Sequence, residues 1–77
     1  MGCYLVTGGT GSFGKTVTEF LLSKQNVSEV RIFSRDEAKQ DLMRTKYMDD
    51  PRVKFYIGDI RDFQSIKAAL KGVDYVF

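Results

Sequence analysis

Apolar positions along this chain alternate between short runs and helical stripes. Cys3-Tyr4-Leu5-Val6 is an apolar run that breaks into a glycine cluster, the pattern of a strand buried on both faces. Behind the glycines, Phe13, Val17, Phe20, Leu21 and Lys24 recur at helical spacing. They predict an amphipathic helix of about three turns, with these residues on one face. Gln25, Asn26 and Ser28 end it. Val30 to Phe33, β-branched and aromatic, predicts a second strand. Ser34-Arg35-Asp36-Glu37 has the Ser-x-x-Glu form of a capping box and starts a second helix, with Ala38, Leu42, Met43 and Tyr47 inward. That helix runs to about Met48, where Asp49, Asp50 and Pro51 stop it, since proline disfavours helical geometry in the residue before it. Val53 to Ile57 predicts a third strand ending at Gly58-Asp59. Asp62 caps a third helix with Phe63, Ile66, Ala69 and Leu70 on one side and Gly72 at its stop. Val73 to Phe77 opens a fourth strand.

Strands alternating with helices over short connections imply an α/β fold with a parallel sheet and right-handed crossovers. The order β-α-β-α-β-α-β is the N-terminal half of a doubly wound, Rossmann-type domain plus the first strand of its second half. The expectation is one partial domain over residues 1–77 of a longer protein, because the chain stops in mid-strand.

Composition narrows the function classes. The 77 residues are 43% hydrophobic and 29% charged, as in ordinary globular proteins. Twelve basic and ten acidic side chains give a net charge of +2 and are mixed along the chain. A nucleic-acid binder more often gathers its positive charge, so no nucleic-acid partner is expected. No run approaches the roughly 20 apolar residues that span a bilayer, so no membrane role is expected either. The single cysteine, Cys3, and the lack of histidine exclude the usual zinc sites and a Ser-His or Cys-His pair within this segment. No metal site and no catalytic residue are expected here, and a reducing cytoplasm fits this cysteine usage.

The candidate chemistry begins at Thr7-Gly8-Gly9-Thr10-Gly11-Ser12-Phe13-Gly14, between the first strand and the first helix. Gly8, Gly11 and Gly14 are spaced G-x-x-G-x-x-G. Such a loop turns tightly, brings its backbone up to a pyrophosphate and packs helix against strand, and each need penalises a β-carbon. Phosphates there meet free backbone N–H groups at the positive end of the helix dipole, and Thr10 and Ser12 can add hydroxyl donors. A second register competes. Gly9 to Thr16 (GTGSFGKT) also fits the P-loop pattern G-x-x-x-x-G-K-[ST], with Asp59 as an acidic residue for magnesium.

The tip of the second strand bears on that choice. An acid there would accept from the adenosine 2′-hydroxyl and select NAD. Here the tip is Phe33-Ser34-Arg35, with no acid at Ser34. Arg35 offers a permanently charged planar fork for a 2′-phosphate, Ser34 a hydroxyl, and Lys39 further charge one turn on. The expected cofactor is therefore NADP. Asp59, at the end of the third strand, can accept from the adenine amino group, with Ile60 packed on the base.

In these motifs the chain resembles the extended short-chain dehydrogenase/reductase family. Within it, Ile32-Phe33-Ser34-Arg35-Asp36-Glu37 and Phe55-Tyr56-Ile57-Gly58-Asp59-Ile60-Arg61-Asp62 are similar to the UDP-N-acetylglucosamine 4,6-dehydratases of bacterial polysaccharide and flagellar-glycan synthesis. The resemblance implies that Thr10, Gly11, Ser12 and Phe13 contact the pyrophosphate and ribose, beside the Gly8 and Gly14 already read from the glycine spacing. It places Ser34, Arg35, Asp36 and Lys39 around the 2′-phosphate, and Asp59 and Ile60 at the adenine. It further implies a UDP-sugar substrate, oxidation at sugar C4, elimination of water across C5–C6 and, in some members, inversion at C5. A homo-oligomeric full-length protein and catalytic residues beyond Phe77 belong to the same expectation. An epimerase or reductase of the same fold, and a non-catalytic NADP-binding domain, stay open beside it.

Overall fold

The computed structural model describes residues 2–77. Four strands and three helices alternate: β1 (Gly2–Thr7), α1 (Ser12–Leu22), β2 (Val27–Ser34), α2 (Glu37–Lys46), β3 (Val53–Ile57), α3 (Phe63–Leu70) and β4 (Tyr75–Val76). All pairings are parallel and the strand order is β3-β2-β1-β4, the order of one half of a doubly wound sheet with the next strand added beside β1. β1 is flanked by strands reached in opposite directions, so the chain reverses its winding there.

Period-two alternation divides the core between the two faces. Val6, Val30 and Ile32 face one side, with Leu21 of α1, Met43 of α2 and Val53. Leu5 and Phe33 face the other, against Ala69 of α3 with Ile66 and Val73 beside it. Right-handed crossovers require this split, because the chain winds outward to β3 and then returns past β1. Two arginines fasten helix ends to the sheet. Arg52 donates to the Leu22 and Lys24 carbonyls at the end of α1, at 3.0 and 3.2 Å. Arg31 donates to the Ala69 and Lys71 carbonyls at the end of α3, at 2.9 and 2.6 Å.

Several expectations need correction. β1 and β2 are longer than their apolar cores, whereas β4 spans only Tyr75–Val76, with Asp74 and Phe77 on either side also hydrogen-bonded to β1. α1 buries Gly14, Thr18 and Leu21, and leaves Phe13 and Phe20 exposed. The close approach of the helix to the Gly8–Gly9 loop at Gly14 turns the small residues inward, so the aromatic stripe is rotated out. α2 ends at Lys46 and buries Gln40 with Met43, while Ala38 and Leu42 face solvent. On α3, Ala69 is buried but Phe63 is exposed. Ser34 is not the cap of α2. It pairs with Ile57 in the sheet, and Asp36 caps the helix by accepting from the Lys39 amide at 3.0 Å. β3 and the Asp62 cap of α3 lie where the pattern puts them.

Candidate functional site

Parallel strands present their C-terminal ends on one edge, and three of those ends build the site. Leaving β1, the chain turns at Gly8, whose φ of +61° is one that side-chain-bearing residues rarely adopt. The Gly11 amide closes this turn on the Gly8 carbonyl at 3.0 Å, and the Gly9 amide reaches the Phe33 carbonyl of β2 at 3.3 Å. α1 then begins at Ser12. At Gly14 an added Cβ would lie 2.5 Å from the Gly9 Cα and 2.6 Å from the Gly8 carbonyl oxygen, so helix and loop touch backbone to backbone. Gly11 differs: an added Cβ would meet only the Gly8 oxygen, at 3.4 Å. Nothing in the packing demands glycine at 11, and the space it leaves opens outward. Gly11 is also the N-cap of α1, and among the described residues no side chain caps that helix. Its first-turn amides thus face outward with the positive end of the helix dipole.

This geometry speaks against the P-loop register, because α1 begins at Ser12, two residues ahead of Gly14. That motif needs a loop long enough to wrap a phosphate before its Gly-Lys-Thr. Here Gly14-Lys15-Thr16 lies inside α1, with the Thr16 hydroxyl donating to the Ser12 carbonyl at 3.1 Å.

The β2 tip lies directly against the loop. Ser34 is buried, and its Oγ accepts from the Asp36 amide at 3.0 Å and meets the Thr10 hydroxyl at 3.0 Å. Thr10 is equally buried. These two hydroxyls, expected to reach outward to phosphate, spend themselves on each other and act as a rivet between loop and strand. Arg35 is the outward group, with its side chain 68% exposed. Lys39 and Ser12 are exposed as well, and so is Phe13.

The β3 tip supplies the third part. The Gly58 amide donates to the Ser34 carbonyl at 3.1 Å, which holds Asp59 beside Arg35, Nη1 to Oδ2 at 3.4 Å. Asp59 has a closer partner. Arg61 donates its amide to Oδ1 at 2.9 Å and its Nη2 to Oδ2 at 2.8 Å. These bonds from Arg61, with Arg35 adding its charge, hold the Asp59 carboxyl well below the usual carboxylate range. Ile60 stands exposed next to it. Together the tips enclose an open cleft of about 1040 Å³, running from Thr7 and Gly8 past Ser34 and Arg35 to Asp59 and Ile60.

The structure therefore brings Gly8 at the start of the glycine loop, Ser34, Arg35, Asp36, Asp59 and Ile60 to one cleft, whose lining leaves out Thr10, Gly11, Ser12, Phe13, Gly14 and Lys39. Pattern reading missed Gln40, which is fully buried and donates from Nε2 to the Tyr56 carbonyl at 2.9 Å and the Ser34 carbonyl at 3.3 Å. It bridges the two strand tips from beneath. No sequence signal singles it out, because a glutamine in a polar helix reads as solvated. Arg61 was legible only as part of its motif.

Comparison with known proteins extends over nearly the whole chain. The family described as polysaccharide biosynthesis protein matches residues 4–77. A UDP-glucose 4-epimerase of Rickettsia bellii (strain RML369-C) is 54% identical over 76 residues, covering 95% of this chain and 22% of the relative. The UDP-glucose 4-epimerase of Rickettsia canadensis (strain McKiel) is 49% identical with the same coverage. The chain thus spans 22% of the length of the curated relatives it matches. Among solved structures, Pen from Bacillus thuringiensis superposes with a TM-score of 0.93 at 35% identity, over 99% of this chain and 24% of that one. A short-chain dehydrogenase/reductase from Saccharomyces cerevisiae gives 0.76 at 29% identity, over 99% of this chain and 32% of its own.

Proposed function

For a chain that belongs to the polysaccharide biosynthesis protein family, we propose that this region binds NADP for an enzyme that modifies a nucleotide sugar. The short-chain dehydrogenase/reductase likeness read from the sequence holds across the chain. One observation carries the cofactor reading: the exposed Arg35 fork lines one cleft with the Gly8 turn that leads to the uncapped start of α1. Neutral backbone donors suit a pyrophosphate, and the guanidinium suits a terminal phosphate monoester.

In this reading Gly8, Gly11, Ser12, Phe13 and Gly14 form the pyrophosphate cradle, and Thr10 and Ser34 brace it. Arg35 and Lys39 take the 2′-phosphate while Asp36 holds the Lys39 turn in place. Asp59 and Ile60 flank the adenine. When bound, the nicotinamide supplies reversible hydride acceptance from the sugar. This chain's own residues bind and orient the adenosine and pyrophosphate end. Hydride chemistry at C4 of a UDP-sugar serves both a 4,6-dehydratase and a 4-epimerase. The motifs Ile32–Glu37 and Phe55–Asp62 support the dehydratase of UDP-N-acetylglucosamine, while the relatives' names support the epimerase. Among the described residues no helix is long and apolar enough to cross a membrane.

Titration of the intact protein with NADP+, NAD+ and ATP-magnesium tests the cofactor. NADP+ binds most tightly, and Arg35→Ala weakens it about ten- to a hundredfold, as loss of a charge-assisted phosphate contact implies, with NAD+ nearly unchanged. Equal losses for both, or a preference for ATP, would overturn the assignment. Incubation with UDP-N-acetylglucosamine and UDP-glucose then separates a 4-keto-6-deoxy product from a C4 epimer.

A further inference from the structure

Resting on the dinucleotide reading above, we propose that Arg61 is a specificity-determining residue that occupies the Asp59 carboxylate and so keeps Arg35 available to the 2′-phosphate of NADP. Arg35 and Asp59 are paired at 3.4 Å, a loose contact. Arg61 holds the same carboxylate much more tightly, through Nη2 at 2.8 Å, Nε at 3.1 and 3.2 Å, and its own amide at 2.9 Å. The arrangement is local. Asp59 and Arg61 are two residues apart in a turn closed by the Asp62 amide on the Asp59 carbonyl at 2.8 Å, so it forms without help from a ligand.

A bare carboxylate at this place would work against NADP in two ways. It would draw Arg35 out of the cleft into a full ion pair, and it would repel a phosphate dianion nearby. Asp36, Glu37 and Asp59 line the same cleft as Arg35 and Arg61, so three acids face two guanidiniums there. Arg61 cancels the acid nearest Arg35. It does nothing for the core, since its side chain is 76% exposed and bonded only within its own turn. Arg61 and Arg35 together take up the roughly four acceptor sites of the Asp59 carboxylate, so an adenine amine there replaces the loose Arg35 contact.

The test is a double-mutant cycle on the intact protein, read as dissociation constants for NADP+ and NAD+. The wild type must first prefer NADP+; failure at that point removes the cofactor reading itself. With that preference in hand, Arg61→Gln weakens NADP+ about three- to tenfold, the size of one uncompensated charge at short range in partly screened solvent, and leaves NAD+ within about twofold. Retained NAD+ binding also shows that the variant is folded. Asp59→Asn added to Arg61→Gln restores the ratio of NADP+ to NAD+ affinity to within about twofold of wild type, because the acid to be cancelled is gone and any loss at the adenine falls on both cofactors alike. A double variant whose ratio stays as low as that of Arg61→Gln would mean that Arg61 touches the phosphate directly. Equal losses of both cofactors would mean that it only shapes the turn. Either result overturns the inference.

Discussion

The hydroxyls of Thr10 and Ser34 meet at 3.0 Å in a buried contact that fastens the glycine loop to the tip of β2. The Ser34 oxygen also accepts from the Asp36 amide, so one atom ties together the loop, the strand end and the entry to α2. Ser34→Ala removes both bonds and leaves a buried hydroxyl and an amide to find other partners. Thr10→Val removes only one bond and keeps the shape. Thr10→Val is expected to lower the unfolding free energy by about 1 kcal/mol and Ser34→Ala by about 2 kcal/mol, the range for buried hydrogen bonds. Urea denaturation measures both, and equal losses would show that the Asp36 bond contributes nothing.

Gly11 and Gly14 separate binding from folding. A methyl group at Gly14 collides with loop backbone at 2.5 Å, and neither partner is the end of a flexible side chain. Gly14→Ala is expected to destabilise by about 1–3 kcal/mol, as overpacking of a filled site does. At Gly11 the same methyl group meets one oxygen at 3.4 Å, and the backbone there is extended, with φ of −81°. Gly11→Ala therefore leaves the thermal midpoint within a few degrees of wild type. The larger Gly11→Val abolishes dinucleotide binding by filling the pyrophosphate cradle. Unchanged affinity in Gly11→Val would remove the loop from the site.

The contrast between these glycines also shows how far the sequence could be read. Strand order and strand tips were legible because apolar runs ending in Gly-rich or Asp-rich turns carry both period and punctuation, as at Val53–Ile57 followed by Gly58-Asp59. The faces of the helices were not. On α1 the choice between Phe13 with Phe20 and Gly14 with Thr18 is a rotation of one residue, about 100°. Only the proximity of the Gly8–Gly9 backbone decides it. At Ser34 and Asp36, two residues of equal capping chemistry compete. The winner depends on Ser34 pairing with Ile57, a contact 23 residues away in sequence and invisible to a local motif.

Acid should expose a second local ion pair. Asp50 accepts from Arg52 through Nη2 at 2.9 Å, Nε at 3.1 Å and the backbone amide at 3.0 Å, and the same arginine holds the end of α1. Hydrogen bonds from Arg52 lower the Asp50 pKa below its ordinary value. A carboxyl depressed on folding contributes stability that is complete above its unfolded pKa of about 4 and is lost as pH falls through the folded value. Asp59 is shifted in the same direction by Arg61. Stability is therefore expected to be flat in these groups from about pH 7 to pH 5 and to fall below about pH 4. Denaturant unfolding across that range is the measurement. Asp50→Asn is less stable at neutral pH and shows a shallower acid limb, whereas an unchanged limb would mean that the pair is fully screened.

Gln40 gives the sharpest test of what holds the two strand tips together. Its Nε2 supplies donors to the Ser34 and Tyr56 carbonyls, while its buried Oε1 has no hydrogen-bond partner among the described residues. Gln40→Leu discards that unsatisfied oxygen but also takes the donor from Tyr56. Ser34 suffers less, because its carbonyl still accepts from Gly58. Gln40→Glu is nearly isosteric, yet it turns carboxylate oxygens towards two carbonyls in a site closed to water. The expected order of stability is wild type, then Gln40→Leu, about 1–2 kcal/mol lower, then Gln40→Glu, about 3 kcal/mol or more lower. Raising pH from about 5 to 8 should widen the gap for Gln40→Glu alone. A buried glutamate with a raised folded pKa is least costly while protonated, and the cost grows as the unfolded carboxyl ionises. A Gln40→Glu variant as stable as Gln40→Leu at neutral pH would mean that the β2 and β3 tips are held by the ladder alone, and that the cleft owes its shape to Gly58 rather than to the glutamine beneath it.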